Sequence, residues 1–457
     1  MHETFHVLAT QREDELQREA TIRHRAAGAR TARSRPSTRV MRRVRPAIVG
    51  LAVAMLLTAV PLGPSVAAPG DNTVSQWNEI ALNTVLNDSA RRTPSAAILY
   101  TAITQLAVYD AVMAIEGTHE PYAFKDVAPA GASVDAAVAT AAHDVLVNYF
   151  PAQTSTLDAA YAASLAGIPD GTSQDDGVTV GRGAAQTIIA VRVDDGRDAP
   201  VPAPADGTLP GQWRRTSTGS VVTPYVGQVK PFLVDSVEYF RSKGSDPLTS
   251  HRYAVEFERT RLYGAKSGSL RSPEQTEIAQ FWTENTVGQY NRALRGFATT
   301  RELSIGDTAL VFAMTDVPAA DAMITCWNTK FHYLAWRPVT AIREAATDGN
   351  NLTTADPSWE PLSPTALHPE YVSGHACLTG AITRGLREFL GTKDIDLAMD
   401  STVTGSTHHF QTIDDLRTEV EDARVYGGDH WETGGTDGTN LGDDLAKVAL
   451  HRYFGDI

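Results

Sequence analysis

The stretch His368-Pro369-Glu370-Tyr371-Val372-Ser373-Gly374-His375-Ala376-Cys377-Leu378 decides how the chain is read. Beyond it, Leu378, Ile382, Leu386 and Phe389 recur at helical spacing until Gly391, so a Ser-Gly turn feeds directly into a helix that stops at glycine. Such a turn presents backbone N–H groups, a hydroxyl and the positive end of a helix dipole to an oxyanion. Gly374 lets the backbone approach the ligand closely, and His375 stands where a proton can be exchanged with it. A plain capping turn beside a surface histidine uses the same letters, and His368 is open in the same way.

Two flanking stretches add cations. In Trp327-Asn328-Thr329-Lys330-Phe331-His332-Tyr333-Leu334-Ala335-Trp336-Arg337-Pro338, an unbroken helix would bring Arg337 to within roughly 20° of Lys330, about 10 Å further along the axis. Two basic residues at this spacing usually mark a solvated face. The four aromatic residues argue against simple exposure, and partly buried cations need an anionic partner. In Ala423-Arg424-Val425-Tyr426-Gly427-Gly428-Asp429-His430-Trp431, Arg424 belongs to a helix that Thr412 can cap, with Leu416, Val420 and Ala423 inward. Continued helix would turn His430 about 240° away, so Gly427-Gly428 must break it if Arg424 and His430 are to converge. The expectation is that Lys330, Arg337, Ser373, Arg424 and His430 line one pocket. A zinc site from His368, His408 and His409 is the weaker alternative, because no His-Glu-x-x-His spacing accompanies it.

Elsewhere the spacing is helical: Leu99, Ile103, Leu106 and Met113; Val138, Ala142, Val145 and Tyr149; Leu157, Tyr161 and Leu165. Ser272-Pro273-Glu274-Gln275 reads as a capping box. Strand-like alternation is sparse, so the fold class is all-α. From about Asp194 to Pro247 the chain turns to Pro, Gly, Ser and Thr, a long irregular segment of the kind that is functional or wraps another module. We therefore divide the chain into a leader at 1–68, an N-terminal helical region with its irregular segment at 69–250, and a C-terminal helical core at 251–457.

The leader has Arg42, Arg43 and Arg45, an apolar run from Ala47 to Val60, and Ser65-Val66-Ala67-Ala68. This order predicts a signal peptide cleaved near Ala68, export, and no stable membrane insertion afterwards; a retained anchor is the other reading. Of 40 basic and 54 acidic residues, 11 and 5 lie in 1–68, leaving 29 and 49 and a net charge of −20 on the remainder. Such a surface excludes nucleic acid as the expected partner. The two cysteines, Cys326 and Cys377, allow at most one bridge, which convergence of their motifs would bring within reach.

Taken together, Lys-x6-Arg-Pro, Ser-Gly-His and Arg-x5-His resemble the vanadium-dependent haloperoxidases and type 2 phosphatidic-acid-phosphatase-like enzymes. The three-part match runs from Lys330 to His430. Val108-Tyr109-Asp110-Ala111 and Trp336-Arg337-Pro338-Val339-Thr340-Ala341-Ile342 extend the likeness to bacterial members over residues 73–457.

The resemblance implies a helical bundle in which Lys330, Arg337 and Arg424 hold the equatorial oxygens of vanadate or phosphate, with Ser373 and the Gly374 amide adding hydrogen bonds. It makes His430 the axial ligand to the metal and His375 the acid–base residue. In a phosphatase, which needs no cofactor, His430 would be the nucleophile and His375 would protonate the leaving group. Trp327 and His368 are similar to the haloperoxidase branch, His368 being like the extra histidine of bromide-oxidising members. That branch implies hydrogen peroxide and halide as substrates, with Lys330 activating the peroxide; the alternatives are hydrolysis of a phosphate ester and a non-catalytic oxyanion-binding protein. Three departures stand out: Val372 for proline, Ala423 for serine, and Gly434 where an acidic residue often follows the final histidine. The last leaves open what orients His430.

Overall fold

The computed structural model describes residues 72–454, so the leader and its expected signal peptide lie outside the described residues. Thirteen α-helices follow one another there: α1 (Thr73–Asn87), α2 (Pro94–Glu116), α3 (Val134–Tyr149), α4 (Thr154–Ala166), α5 (Thr172–Val191), α6 (His251–Tyr263), α7 (Pro273–Phe281), α8 (Thr286–Thr300), α9 (Ile305–Tyr333), α10 (Pro338–Arg343), α11 (Gly374–Leu390), α12 (Ile413–Tyr426) and α13 (Glu432–Tyr453). The helical expectation holds with one addition, an antiparallel hairpin of β1 (Asp394–Asp400) and β2 (Thr407–Thr412) between α11 and α12. Ile395, Leu397 and Met399 alternate inward along β1, and Leu397 lies opposite Phe410. That alternation is too short to stand out in the sequence beside two long helical patterns.

Helices α2 and α9 are apolar almost all round, long enough to cross a bilayer, and instead buried inside the protein. A helix without a polar face is the sequence mark of a core element, and side chains from both sides of the irregular segment pack on these two. Pro318 interrupts α9 and removes the hydrogen bond to the Met314 carbonyl. Gly385 of α11 packs there, so close that a Cβ would stand 2.3 Å from that oxygen. The same device joins α11 to α13: a Cβ on Gly380 would lie 2.2 Å from the Thr439 carbonyl, and one on Gly442 would lie 2.1 Å from that of Cys377. Glycine lets these backbones come closer than any side chain allows, which brings the start of α11 against the start of α13.

The irregular segment is tied down by buried carboxylates. Asp321 of α9 accepts the N–H groups of Phe232, Leu233 and Val234, and Asp110 of α2 does the same for Tyr122, Ala123 and Phe124 in the loop between α2 and α3. Burial raises both carboxyls to about 6, against the pull of these N–H donors. Further along, Trp213 N–H donates to the Leu334 carbonyl and Trp336 N–H to that of Gly211. The segment thereby wraps onto the stretch that follows α9, and this contact shapes the site.

Candidate active site

Several local predictions hold. Ser373 caps α11, Gly391 ends it in the left-handed region, Ser272 and Gln275 form a capping box, and Thr412 caps α12 with Leu416, Val420 and Ala423 buried. Helix α12 stops at Tyr426, and Gly428, with φ of 76°, turns the chain so that the N–H groups of Asp429 and His430 both donate to the Arg424 carbonyl.

The Lys330–Arg337 pair reaches the site by a different route from the one expected. Helix α9 does not persist: Leu334 enters the left-handed region, with φ of 51°, and donates its N–H to the Lys330 carbonyl. Ala335 then runs extended against Gln212, and Arg337 becomes the residue before α10. The tertiary contact with Gly211–Trp213 replaces the last helical turn, and the reversal rather than helical phase returns Arg337 towards Lys330.

The predicted residues are brought together as one buried network. Lys330 Nζ donates to the carbonyls of Pro369 and Glu370, both at 3.0 Å. Arg337 donates Nε to the His368 carbonyl at 2.9 Å, and Nη1 to the Asp429 carbonyl at 2.9 Å and to His430 Nε2 at 3.1 Å. Its Nη2 lies 2.9 Å from His368 Nδ1. Arg424 pairs with Asp429 and shares the Trp282 carbonyl with His375 Nε2, each at 3.0 Å. Gly374 packs on the indole of Trp327, and Ser373 N–H donates to the Gly434 carbonyl.

These partners define the tautomers. Arg337 is only a donor, so His430 Nε2 carries the lone pair and Nδ1 the proton, which goes to Glu370 Oε1 at 2.9 Å. The Trp282 carbonyl is only an acceptor, so His375 carries its proton on Nε2 and keeps Nδ1 basic.

Glu370 is the residue that the sequence reading missed. It supplies the acceptor whose absence at Gly434 had left His430 without an evident orienting group. The two positions are linked sterically, because a Cβ on residue 434 would lie 2.3 Å from Glu370 Oε1. The carboxylate occupies the space that a side chain at 434 would take. Its signal was present in His368-Pro369-Glu370, but nothing local pointed it at His430. Trp282, whose carbonyl holds both Arg424 and His375, left no signal at all, since a carbonyl is common to every residue.

Electrostatically the site is starved of negative charge. Among the described residues, no carboxylate forms an ion pair with Lys330 or Arg337, and Arg424 has Asp429 but a buried Nε without a hydrogen-bond partner. Desolvation lowers Lys330 to about 8, with Arg337 adding repulsion, and lowers Arg337 itself to about 10. His430 is held well below the usual histidine range by desolvation and then by Arg337, Lys330 and Arg424. Desolvation with Arg424, Lys330 and Arg337 does the same to His375, and desolvation with Lys330 and Arg337 to His368; these two histidines keep some solvent contact. Burial lifts Glu370 to about 7 against the two cations. Three cations with one paired carboxylate, an orphaned guanidinium N–H and a helix N-terminus fit a small oxyanion of the vanadate or phosphate class.

Cys326 and Cys377 do come together, as convergence of their motifs implied, but as buried free thiols, Cys326 Sγ also lying 3.7 Å from the Val372 carbonyl. The three-histidine zinc alternative does not assemble: His408 lies between Glu277 and Glu419, and no metal-binding group of His, Cys, Asp and Glu occurs among the described residues.

Residues 310–455 match the family described as the VCPO second helical-bundle domain. The vanadium chloroperoxidase of Curvularia inaequalis is 28% identical over 196 aligned residues, covering 35% of this chain and 32% of that protein, so the match spans about a third of that relative's length. A bacterial vanadium-dependent iodoperoxidase shares the fold with a TM-score of 0.70 and 21% identity, over 83% of this chain and 96% of that one. A holo-type bacterial vanadium-dependent chloroperoxidase gives 0.67 and 18%, over 82% and 95%. The ordered Lys-Arg, Ser-Gly-His and Arg-His motifs thus gather in a helical fold shared with bacterial vanadium haloperoxidases, and residues 310–455, which hold all three, match the VCPO second helical-bundle domain.

Proposed function

We propose that this chain is an exported vanadium-dependent haloperoxidase that uses hydrogen peroxide to oxidise halide, bromide in preference to chloride. The observation that carries the reading is the buried cage of Lys330, Arg337 and Arg424, of which only Arg424 has a carboxylate partner, around a histidine whose free nitrogen is fixed by Glu370. When bound, vanadate supplies the electrophilic centre at which peroxide is activated towards halide. Lys330, Arg337 and Arg424 hold its oxygens, while the Ser373 hydroxyl and the first N–H groups of α11 add hydrogen bonds. His430 offers Nε2 as ligand, with Arg337 releasing it. Lys330 would add a positive charge beside the oxyanion's oxygens, and His375 would take or return a proton at Nδ1. His368, tilted at 46° against Trp327 with 5.0 Å between centroids and partly in solvent, is the residue whose likeness to bromide-oxidising members supports the bromide assignment.

The test is a pair of assays on the purified mature protein. Bromide-dependent bromination of a dye should require both vanadate and peroxide, with chloride the poorer substrate. Phosphate-ester hydrolysis that vanadate inhibits, with no bromination at any peroxide level, would overturn the proposal in favour of a phosphatase. Recovery of the chain in the extracytoplasmic fraction, shortened near Ala68, tests export.

A further inference from the structure

We propose that a second cavity, separated from the anion cage by Glu370, is a binding site for a small organic ammonium ion. The cavity encloses about 290 Å³ and has its mouth at Ser245 and Pro247. This is near the small end of the roughly 300–1,000 Å³ common for ligand sites. None of Lys330, Arg337, Ser373, His375, Arg424 or His430 lines it.

Its walls have two characters. Tyr253, Trp336, Tyr371 and Trp431 contribute aromatic rings, all nearly inaccessible from outside, with Tyr253 edge-on to Trp431 at 5.8 Å. Between them stand the carboxylates of Asp246, Glu256 and Glu370. Arg252 opposes two of these acids, 3.2 Å from Asp246 and 3.3 Å from Glu256, on a side chain that is 63% exposed, while Glu370 feels Lys330 and Arg337 from the cage side. Thr433 donates its hydroxyl to Glu256, with Asp246 Oδ2 at 3.3 Å, and Tyr371 donates its own to a further acid, Asp437. The side of the cavity formed by Asp246 and Glu256 is therefore negative, opposite in sign to the cage.

The independent sign of a ligand is the far oxygen of Glu370. Oε1 is occupied by His430 and by the Trp431 N–H, whereas Oε2 is buried and has no hydrogen-bond partner, on a residue that is fully inaccessible and lines the cavity. A buried carboxylate oxygen without a donor is unfavourable, and a bound cation would satisfy it. Aromatic faces attract a cation that has little hydration, which favours a substituted ammonium over a strongly hydrated metal ion. Gly434 completes the cavity, since a side chain there would collide with Glu370.

Calorimetric titration of the purified full chain with choline, beside its neutral carbon isostere dimethylbutanol and beside sodium and potassium chloride, tests this. Saturable binding of one choline is expected, with the isostere about tenfold weaker or worse, because it keeps the shape and loses the charge. Glu256→Gln and the partly exposed Asp246→Asn should each weaken choline several-fold while leaving vanadate affinity unchanged. No saturation by choline, equal binding of choline and isostere, tighter binding of sodium or potassium, or choline affinity unaltered in both variants would each overturn the assignment. Because choline binding is read without vanadate, its outcome is independent of the haloperoxidase assays.

Discussion

Replacing Glu370 by glutamine keeps the shape of the side chain and an acceptor for His430 Nδ1–H, but exchanges a charge-assisted hydrogen bond for a neutral one. The 2.9 Å bond lies between groups that are 4% and 0% exposed, so solvent does not screen the difference. Hydrogen bonds to charged groups contribute about 1.5–3 kcal/mol and neutral ones about 0.5–1.5, which leaves a loss of about 1.5 kcal/mol, or about tenfold in affinity. This agrees with the ~10–100-fold effect of removing an outer partner from a ligating histidine. Titration of the purified protein with orthovanadate, followed by vanadium NMR, should therefore show about tenfold weaker binding for Glu370→Gln, and a larger loss for Glu370→Ala. Gly434→Ala supplies the internal control. Its Cβ would lie 2.3 Å from Glu370 Oε1 and must displace the carboxylate, so it should destabilise the protein and weaken vanadate binding. In the Glu370→Ala background that collision is gone, and alanine's better helix propensity of about 0.5–1 kcal/mol should show instead. Wild-type vanadate affinity in folded Glu370→Gln, or additive effects of the two alanine substitutions, would refute the reasoning.

Lys330→Met should lower vanadate affinity at least about tenfold, while its melting temperature without anion equals or exceeds the wild type's, because a buried ammonium without a carboxylate partner has been removed; thermal scans with and without vanadate read both. His430→Ala should abolish vanadate retention, whereas His375→Ala should retain vanadate but turn over slowly, a split that equilibrium dialysis and the bromination assay resolve together. Asp316, inside α9, has one oxygen on Asn291 Nδ2 and the other unpartnered, and burial raises its carboxyl to about 7. The folded state then holds a proton that the unfolded state has released between pH ~4 and ~7, so this residue's contribution to stability falls as pH rises through that window. Asp316→Asn should remove up to about 4 kcal/mol of that dependence, measured as denaturant midpoints across the range; an unchanged pH profile would contradict it.

What the sequence by itself determined about this protein is local. Ser373, Thr412 and Ser272 cap helices because a side-chain oxygen reaches N–H groups two or three residues on, and Gly391 and Gly428 accept left-handed backbone, all within one turn of the letters that specify them. The apolar period of 3.6 made the helical class legible, and the order of the three motifs made the cage legible. The tertiary structure alone decided how the cage closes. Leu334 ends α9 because the irregular segment at Gly211–Trp213 pairs with the next residues, so Arg337 arrives by a reversal that helical phase could not anticipate. Glu370 faces His430 because glycine contacts between α11 and α13 bring Ser373 against Gly434 and leave room there for a carboxylate. Trp282 contributes through a backbone carbonyl, and the two cysteines meet as unbridged thiols. Periodicity and capping are set by neighbours in sequence, whereas a partner 60 residues away, as Glu370 is from His430, is set by which surfaces pack.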